Sequence, residues 1–457
     1  MKKIFTILLS MTMATTAFAG GLMTNSNQSA AFLRSIARGT TLDTDAVYNN
    51  PAGTAFMTDG WHLGINNQMA YQTRSTKSTY TLGNNLSGGF AETEFKGDVF
   101  SPAIPSFHLT WKKNRWAVSV GMGVNGGGGT IEYDNGLASF ERIVSSFPGL
   151  LTANGLTTTQ YSRDLYLKGS SMTLAFNAGV SFRITDWLSA AAQIRLGVAN
   201  NSYEAHLRNM KINPAHPQLN PTGAMLPATD ALNAIGMSQY AALVDQELDV
   251  KQKGTSISPV LALYFQKGKW AASAKYEFKM GIELENETAK DINLGTGGMF
   301  PDGSKVKAET PALLSLAVSR QCGSVKVTAE WHAYFDKDAE NSFSNCVEGN
   351  TMEYLLGAEW QISKKWLVSC GVQRTQYDLN ENAYSDMNFS TSSWSTGIGA
   401  AYSFTDKIRL NLGIMPTFYE DVTSEGVQSF LGQQLGGYKD VYSRTSLSWG
   451  LGLDFKF

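Results

Sequence analysis

A two-residue alternation of apolar and polar side chains recurs along most of this 457-residue chain and constrains its fold more than any other feature. In SVKVTAEWHAYF (residues 324–335), Val325 and Trp331 fall on one face, and Lys326 and Glu330 fall on the other. Successive side chains of a strand point to opposite faces, so such runs predict strands with one apolar and one polar face. Many runs reach about ten residues, the length that a tilted strand needs to cross a bilayer, whereas strands of soluble domains average about five or six.

The connections between these runs predict the topology. Short polar joints lie at residues 112–115, 185–186, 266–269, 321–324, 363–365 and 405–406. Longer connections lie at residues 78–100, 128–163, 207–248, 286–304, 337–351, 379–391 and 420–443. Short and long connections alternate, which is typical of outer-membrane barrels with periplasmic turns and extracellular loops. The sequence therefore predicts an all-β fold, a 14-stranded antiparallel transmembrane β-barrel over residues 61–457.

The predicted strands cover residues 61–77, 101–112, 114–127, 164–184, 187–206, 249–266, 269–285, 305–321, 324–336, 352–362, 365–378, 392–404, 407–419 and 444–457. Aromatic residues gather at the ends of these runs, as at Trp111, Trp116, Trp270 and Trp366. This placement is typical of the aromatic girdles at the two membrane surfaces.

Residues 1–19 resemble a secretory signal peptide, with Lys2 and Lys3, an apolar stretch and small residues ending at Ala19. The expected location is therefore the bacterial outer membrane. Lysine and arginine number 37 against 39 acidic residues, so there is no basic surface of the kind that binds nucleic acid. The three cysteines are far apart and favour neither a disulfide framework nor a metal site.

Residues 20–60 do not fit the barrel pattern. SAAFLRSIARG predicts a short helix with Ser29 as N-cap and Gly39 as its end. In DAVYNNPAG, Asn50 is placed to cap a further turn, Pro51 to occupy its first position and Gly53 to end it. Because fourteen strands enclose a lumen too wide for their own side chains to fill, we expect residues 20–60 to plug it.

The signal peptide, the N-terminal plug with DAVYNNPAG, the fourteen strands and the terminal Phe457 together resemble the FadL family of outer-membrane transporters for long-chain fatty acids and other hydrophobic compounds. The resemblance implies a hatch in the lumen, whose motif here is Asp45, Asn50, Pro51, Ala52 and Gly53. It also implies passive diffusion of a hydrophobic ligand, with lateral exit into the membrane through a kink in the third strand. The residues placed at that kink are Asn125, Gly126, Gly127, Gly128 and Gly129. The alternative for these glycines is a flexible start to the following loop.

Two long connections have the apolar spacing of amphipathic helices. The resemblance implies that they capture the ligand, through Phe140, Ile143, Val144, Phe147, Leu232, Ile235 and Tyr240. The alternative is that the two connections pack on one another as a lid. A fatty-acid head group would need a nearby cation, and the inward-facing candidates are Arg195, Lys275, Lys279 and Arg409. The alternative is that these cations belong to a polar, hydrated lining of the lumen together with Glu277, Glu330 and Glu359.

Competing functions have weaker support. Gly121, Gly123 and Gly126 have dinucleotide-loop spacing, but no helix pattern follows them, so we expect no cofactor. The five histidines include His332 beside Glu330 in position, without a recognisable serine nucleophile motif, so we do not expect an enzyme. A general diffusion porin or structural barrel remains the alternative function. The expected partners are the hydrophobic ligand, outer-membrane lipid and, through Phe457, the outer-membrane assembly machinery, with the protein as a monomer.

Overall fold

Among the described residues, eighteen antiparallel strand segments form one sheet, and all but one of them build the wall of a closed barrel. The structure, a computed structural model, describes residues 22–81, 90–153, 155–218, 220–234, 236, 238–292, 298–430 and 433–457. The segments are β1 Gly60–Thr81, β2 Phe90–Lys113, β3 Trp116–Tyr133, β4 Tyr161–Arg183, β5 Leu188–Ile212, β6 Leu226–Pro227, β7 Gln246–Lys267, β8 Trp270–Glu277, β9 Glu283–Lys290, β10 Lys305–Lys307, β11 Leu313–Cys322, β12 Val325–Tyr334, β13 Thr351–Gln361, β14 Trp366–Gln376, β15 Ser393–Thr405, β16 Ile408–Tyr419, β17 Val422–Phe430 and β18 Gln433–Lys456. The first strand, β1, pairs with both β2 and β18, which closes the sheet.

The prediction of fourteen wall strands is confirmed. The short β6 pairs with the end of β5 and is not a wall strand. Three wall strands each consist of two segments separated by a break: β8 and β9, β10 and β11, and β16 and β17. The six short joints lie where they were predicted. Several long connections were predicted too long, because many strands continue well past the apolar band with polar side chains on both faces. Within the connection predicted at residues 420–443, β17 pairs with residues 433–442 of β18 instead of forming a loop.

The outer face carries the apolar side chains of the alternating pattern. Among the exposed ones are Trp61, Ile65, Trp116, Leu261 and Trp366. The inner neighbours of the same strands are polar and buried, such as His62 and Asn66 on β1. This alternation turns an apolar surface toward lipid and a polar surface toward the lumen.

The alternation predicted for the seventh strand is wrong beyond Glu277. The strand breaks between β8 and β9, and this break reverses which side chains face inward. Met280 and Ile282 alternate with the predicted inward Lys279 and would therefore face lipid, but they are 3% and 2% exposed and pack inside with Ala199 and Leu284. Lys279, predicted to face inward, is exposed and pairs with Glu309 at 2.8 Å.

Helices occupy the connections at the extracellular end. They are α3 Ala138–Ala153 between β3 and β4, and α4 Ala228–Ala234 and α5 Ser238–Ala241 between β5 and β7. Among the described residues, none of the helices is both long and apolar enough to cross a membrane.

Residues 22–57, here called the N-terminal segment, lie against inner side chains of the wall. The segment contains α1 Ala30–Ser35, α2 Ala46–Asn49 and a 3-10 helix, Pro51–Phe56. Ser29 caps α1 as predicted, because its hydroxyl accepts a hydrogen bond from the Phe32 N–H at 3.0 Å. The helix ends at Ser35, earlier than the predicted Gly39, and its C-cap Ile36 has a φ of 60°, in the left-handed region. The predicted signal peptide lies outside the described residues.

Candidate functional site

The wall is interrupted between β2 and β3. The ladder joins Val99 to Ile131 and then resumes only at Phe107 with Met122, so residues 100–106 and 123–130 do not pair with each other. Pro102 and Pro105 lie in this part of β2, and proline has no N–H to donate to a neighbouring strand. We call this unpaired region the wall interruption.

Glycines bend the β3 side of the wall interruption. The register between β3 and β4 shifts twice, between Val124 and Gly126 and between Gly127 and Gly129. Gly127 has a φ of 66°, which side chains with a Cβ rarely adopt. A Cβ on Gly126 would come within 2.7 Å of the Met23 carbonyl oxygen. The residues predicted to form a kink therefore lie in a doubly bulged strand with the N-terminal segment directly behind it.

The wall interruption lies within the apolar band. Below it, the rings of Trp61 and Trp111 are neighbours, with centroids 6.4 Å apart. At its upper end, Phe100 stacks on Trp449 with centroids 6.5 Å apart. Aromatic side chains of this kind mark the two membrane surfaces, so the interruption lies at the depth of the membrane interior.

Residues 23–28, here called the N-terminal strap, cover the wall interruption from the inside. The Asn25 N–H donates to the Asn125 carbonyl at 2.7 Å, and the side-chain amide of Gln28 donates to the Val124 carbonyl at 2.7 Å. From β2, the Ser106 hydroxyl donates to the Gln28 carbonyl at 2.6 Å. The strap thus bonds both strands in the region where their backbones do not pair with each other.

Asn125 connects the strap to a buried polar cluster. Its side-chain oxygen accepts a hydrogen bond from the Tyr48 hydroxyl at 3.1 Å. The guanidinium of Arg195 lies over the Tyr48 ring, 4.7 Å from its centroid, and pairs with Glu277. Lys275 also pairs with Glu277, at 2.7 Å. Of the cations predicted to receive a head group, Arg195 and Lys275 thus share an internal carboxylate.

The predicted hatch motif is buried near the periplasmic end and bonds mainly within the N-terminal segment. The Asn50 side chain accepts from the Gly53 N–H at 3.2 Å and donates to the Thr41 carbonyl at 3.0 Å. Pro51 is the first residue of the 3-10 helix, as expected, but the helix continues past Gly53 to Phe56. Ala52 contacts the wall, since its carbonyl accepts from the Ser189 hydroxyl at 2.6 Å. Asn50 therefore holds its own segment together rather than latching onto the wall.

Asp45 and Arg38 fix the N-terminal segment to β13. The Arg38 guanidinium contacts Asp45 at 2.9 Å, Asp43 at 2.9 Å and Glu359 of β13 at 3.0 Å. Arg409, another predicted inward cation, pairs with Asp43 at 3.0 Å. Burial opposes ionisation of Asp43, but its arginine neighbours outweigh this effect and hold the pKa of the carboxyl well below its usual range.

The residues predicted to capture a ligand pack together as a lid. Val144, Phe147 and Leu232 are at most 2% exposed, so the expected exposed apolar surface is not found at these positions. They share one apolar cluster with Leu243, Val244 and Met210, against which the half-buried Phe140, Ile143 and Tyr240 pack. Ile235 lies outside the described residues. The arrangement matches the lid alternative, with α3 packed against the α4–α5 connection.

His332 is held between two carboxylates on the inner wall. Its ring nitrogens lie 2.8 Å from Glu353 and 2.8 Å from Glu330. Glu330 in turn accepts from the Gly39 N–H at 2.7 Å, which ties His332 to the N-terminal segment. In the described part of the chain, no group of three or more His, Cys, Asp or Glu residues is arranged to hold a metal ion.

The sequence analysis missed three features of the wall interruption. Pro102 and Pro105 inside a strand pattern are a recognisable signal of a bulge. Asn67 stands on the lipid-facing side of β1, where its side-chain oxygen accepts from the Ile104 N–H at 3.1 Å. The strap (residues 23–28) carries no pattern of its own, because its contacts come from residues about a hundred positions away.

Comparison with known proteins gives matches only at the level of structure. No protein-family model and no curated protein matches this sequence. A FadL homologue from Pseudomonas aeruginosa is 15% identical with a TM-score of 0.62, and the match covers 96% of this chain and 100% of that one. The toluene transporter TodX from Pseudomonas putida is 14% identical with a TM-score of 0.57, and the match covers 96% and 100% of the two chains. The toluene transporter TbuX from Ralstonia pickettii is 14% identical with a TM-score of 0.53, over 96% and 99%.

This chain has the FadL-type fold. The FadL-type barrel here includes the N-terminal segment as well as the wall, because the matches span nearly the whole chain.

Proposed function

We propose that this FadL-type barrel lies in the bacterial outer membrane and passes hydrophobic small molecules, such as long-chain fatty acids or aromatic hydrocarbons, by passive diffusion. The ligand leaves sideways through the wall interruption into the membrane. The observation that carries this proposal is the interrupted β2–β3 ladder within the apolar band, which the strap covers from the inside. The relatives of similar structure that are toluene transporters support the same class of ligand.

The driving force is the removal of apolar surface from water, about 0.8 kcal/mol per methylene group. Lateral exit keeps the ligand away from the polar lower lumen, where Arg34 and Arg38 bond Glu359. Exit requires the strap to move, because Asn25 and Gln28 hold the carbonyls of Val124 and Asn125.

The alternative of a general diffusion porin is disfavoured by the N-terminal segment. Nearly all of its side chains are buried, and it contacts strands around the barrel, from Gln193 of β5 to Glu330 of β12 and Asn66 of β1. A pore for water-soluble solutes would need that space open. Both ring nitrogens of His332 already contact carboxylates, so His332 is not given a catalytic role here.

A reversible lock on the strap tests the proposal. The backbone hydrogen bond between residues 25 and 125 places these positions side by side, so the double variant Asn25→Cys, Asn125→Cys should form a disulfide, in a background with Cys322 and Cys370 changed to Ser. Toluene uptake into cells carrying the oxidised variant should fall to the level of cells without the protein, and reduction should restore it. Equal uptake by the oxidised and reduced forms would rule out exit through the wall interruption.

A further inference from the structure

Three polar groups in the upper lumen each have a buried donor that lacks an acceptor among the described residues. Gln72 and Arg74 are neighbours on the inner face of β1 and are 1% and 2% exposed. Tyr419 lies at the end of β16. Within the described part of the chain, the Gln72 Nε2, the Arg74 Nε and the Tyr419 hydroxyl have no hydrogen-bond partner. A buried donor left unpaired is destabilising, more so if it is charged, so this arrangement requires an explanation.

Arg444 ties these groups into one cluster. It is directly opposite Arg74 in the β1–β18 ladder. It donates to the Gln72 side-chain oxygen at 2.7 Å, and its guanidinium lies over the Tyr419 ring, 4.3 Å from the centroid. The bond from Arg444 fixes the orientation of the Gln72 amide, so the unpaired Nε2 is a donor and not a misassigned oxygen.

Arg74 adds positive charge to this cluster. Two arginines directly opposite each other on adjacent strands repel. Other buried arginines of this barrel have carboxylate partners, as Arg142 does with Asp440 at 2.9 Å and Arg195 does with Glu277. Among the residues that the structure describes, no carboxylate lies within 4.0 Å of Arg74. Its contacts are the Phe389 carbonyl at 2.8 Å and the Phe389 ring at 4.3 Å.

An apolar surface continues from this cluster to the wall interruption. Ala70, the next inner residue of β1, is fully buried with Ile104 and Val124, one from each strand of the interruption. Four residues of strand separate Ala70 from Arg74, about 14 Å at the usual rise. An amphiphile with its head at Arg74 would therefore lie with its tail toward the exit.

We propose that Gln72, Arg74 and Tyr419 form a head-group site for a hydrophobic molecule with a single anionic group, such as a carboxylate or sulfate. The anion supplies the acceptor that the three donors lack and the negative charge that Arg74 lacks. The tail lies along Ala70, Ile104 and Val124. This inference rests on the proposed function for the route of the ligand, but the site itself is testable by binding alone.

The test compares dodecanoate with 1-dodecanol, which have the same chain length but differ in charge, by equilibrium dialysis against the full-length protein in nanodiscs. Dodecanoate should bind at least about tenfold more tightly, since hydrogen bonds to charged groups contribute more than about 1.5 kcal/mol. Arg74→Met should remove that preference. Tyr419→Phe, which retains the ring on Arg444, should reduce it several-fold without unfolding the protein. The matched control is Arg320→Met on the outer surface, where Arg320 lies over Trp270, and it should retain the full preference.

Equal binding of the two ligands, or a preference unchanged in Arg74→Met, would overturn the head-group site. Acetate binding as tightly as dodecanoate would also overturn it, because the site would then take a small free anion. Toluene uptake should be the same in wild type and Tyr419→Phe. If toluene uptake is normal while the dodecanoate preference is absent, the head-group site fails and the proposed function stands. If dodecanoate binds as expected but no toluene uptake occurs, the proposed function fails and the head-group site stands.

Discussion

The backbone N–H of Asn25 donates a 2.7 Å hydrogen bond to the carbonyl oxygen of Asn125, which joins the N-terminal strap to the bulged part of β3. Ladder hydrogen bonds with a neighbouring strand normally satisfy such a carbonyl, but here β2 turns away through Pro102 and Pro105. The strap therefore replaces part of the β2 strand. Because side-chain and isolated backbone hydrogen bonds hold the strap, it can be displaced without breaking the barrel.

Loosening the strap should speed the release of ligand. The double variant Asn25→Ala, Gln28→Ala removes two side-chain hydrogen bonds to the Val124 carbonyl, each contributing about 1 kcal/mol, so the closed state should be about ten- to thirtyfold less favoured. Toluene uptake at limiting concentration should rise. Asn27→Ala is the matched control, because neither polar atom of the Asn27 side chain has a hydrogen-bond partner among the described residues. Equal uptake in the two variants would mean that the strap does not limit release.

Restoring donors to β2 should narrow the wall interruption. Pro102→Thr with Pro105→Thr supplies two backbone N–H groups that can pair with β3, so we expect slower toluene uptake and a higher unfolding temperature in detergent. The control is Pro416→Thr, on β16, which lies outside the wall interruption. Faster uptake in the β2 variant would show that the prolines do not hold the interruption open.

Local sequence patterns were sufficient for the wall but not for the site. The alternation and the connection lengths predicted fourteen strands, because a strand's two faces meet lipid and lumen at fixed intervals. The break after Glu277 was not predicted. One extra residue between β8 and β9, opposite β7, exchanges the inner and outer faces of that strand and turns Met280 inward. The Asn50 cap was predictable because it acts within three residues. The opposition of Arg74 and Arg444 was not, because it depends on the register between the first and last strands.

Removing the Asn50 cap should loosen the N-terminal segment. Asn50→Ala loses the bonds to the Gly53 N–H and the Thr41 carbonyl, and the loss of a cap costs about 1 kcal/mol. We expect more frequent channel openings to ions in planar bilayers, where the wild type should be nearly closed. Asn50→Asp retains the acceptor for Gly53 and should show an intermediate opening frequency. Openings that do not differ among the three proteins would mean that the Asn50 contacts do not hold the segment.

The stability of the barrel should depend on pH through Asp336, which follows β12 in an extracellular connection. Burial raises the pKa of its carboxyl to about 6, while one oxygen accepts from the Thr351 N–H at 2.9 Å. A carboxyl whose pKa is higher in the folded state binds its proton more tightly there, so it stabilises the protein at low pH. That stability is lost as the pH rises from about 4 through about 6, by at most about 3 kcal/mol.

Asp336→Asn should remove this dependence, because the amide retains an oxygen for Thr351 and cannot ionise. The measurement is the unfolding temperature in detergent from pH 4 to pH 7, which should fall more steeply with rising pH for the wild type than for Asp336→Asn. Asp338→Asn, an exposed neighbour in the same turn, should follow the wild type. A wild-type curve parallel to that of Asp336→Asn would mean that the Asp336 carboxyl ionises in the folded barrel as it does in water.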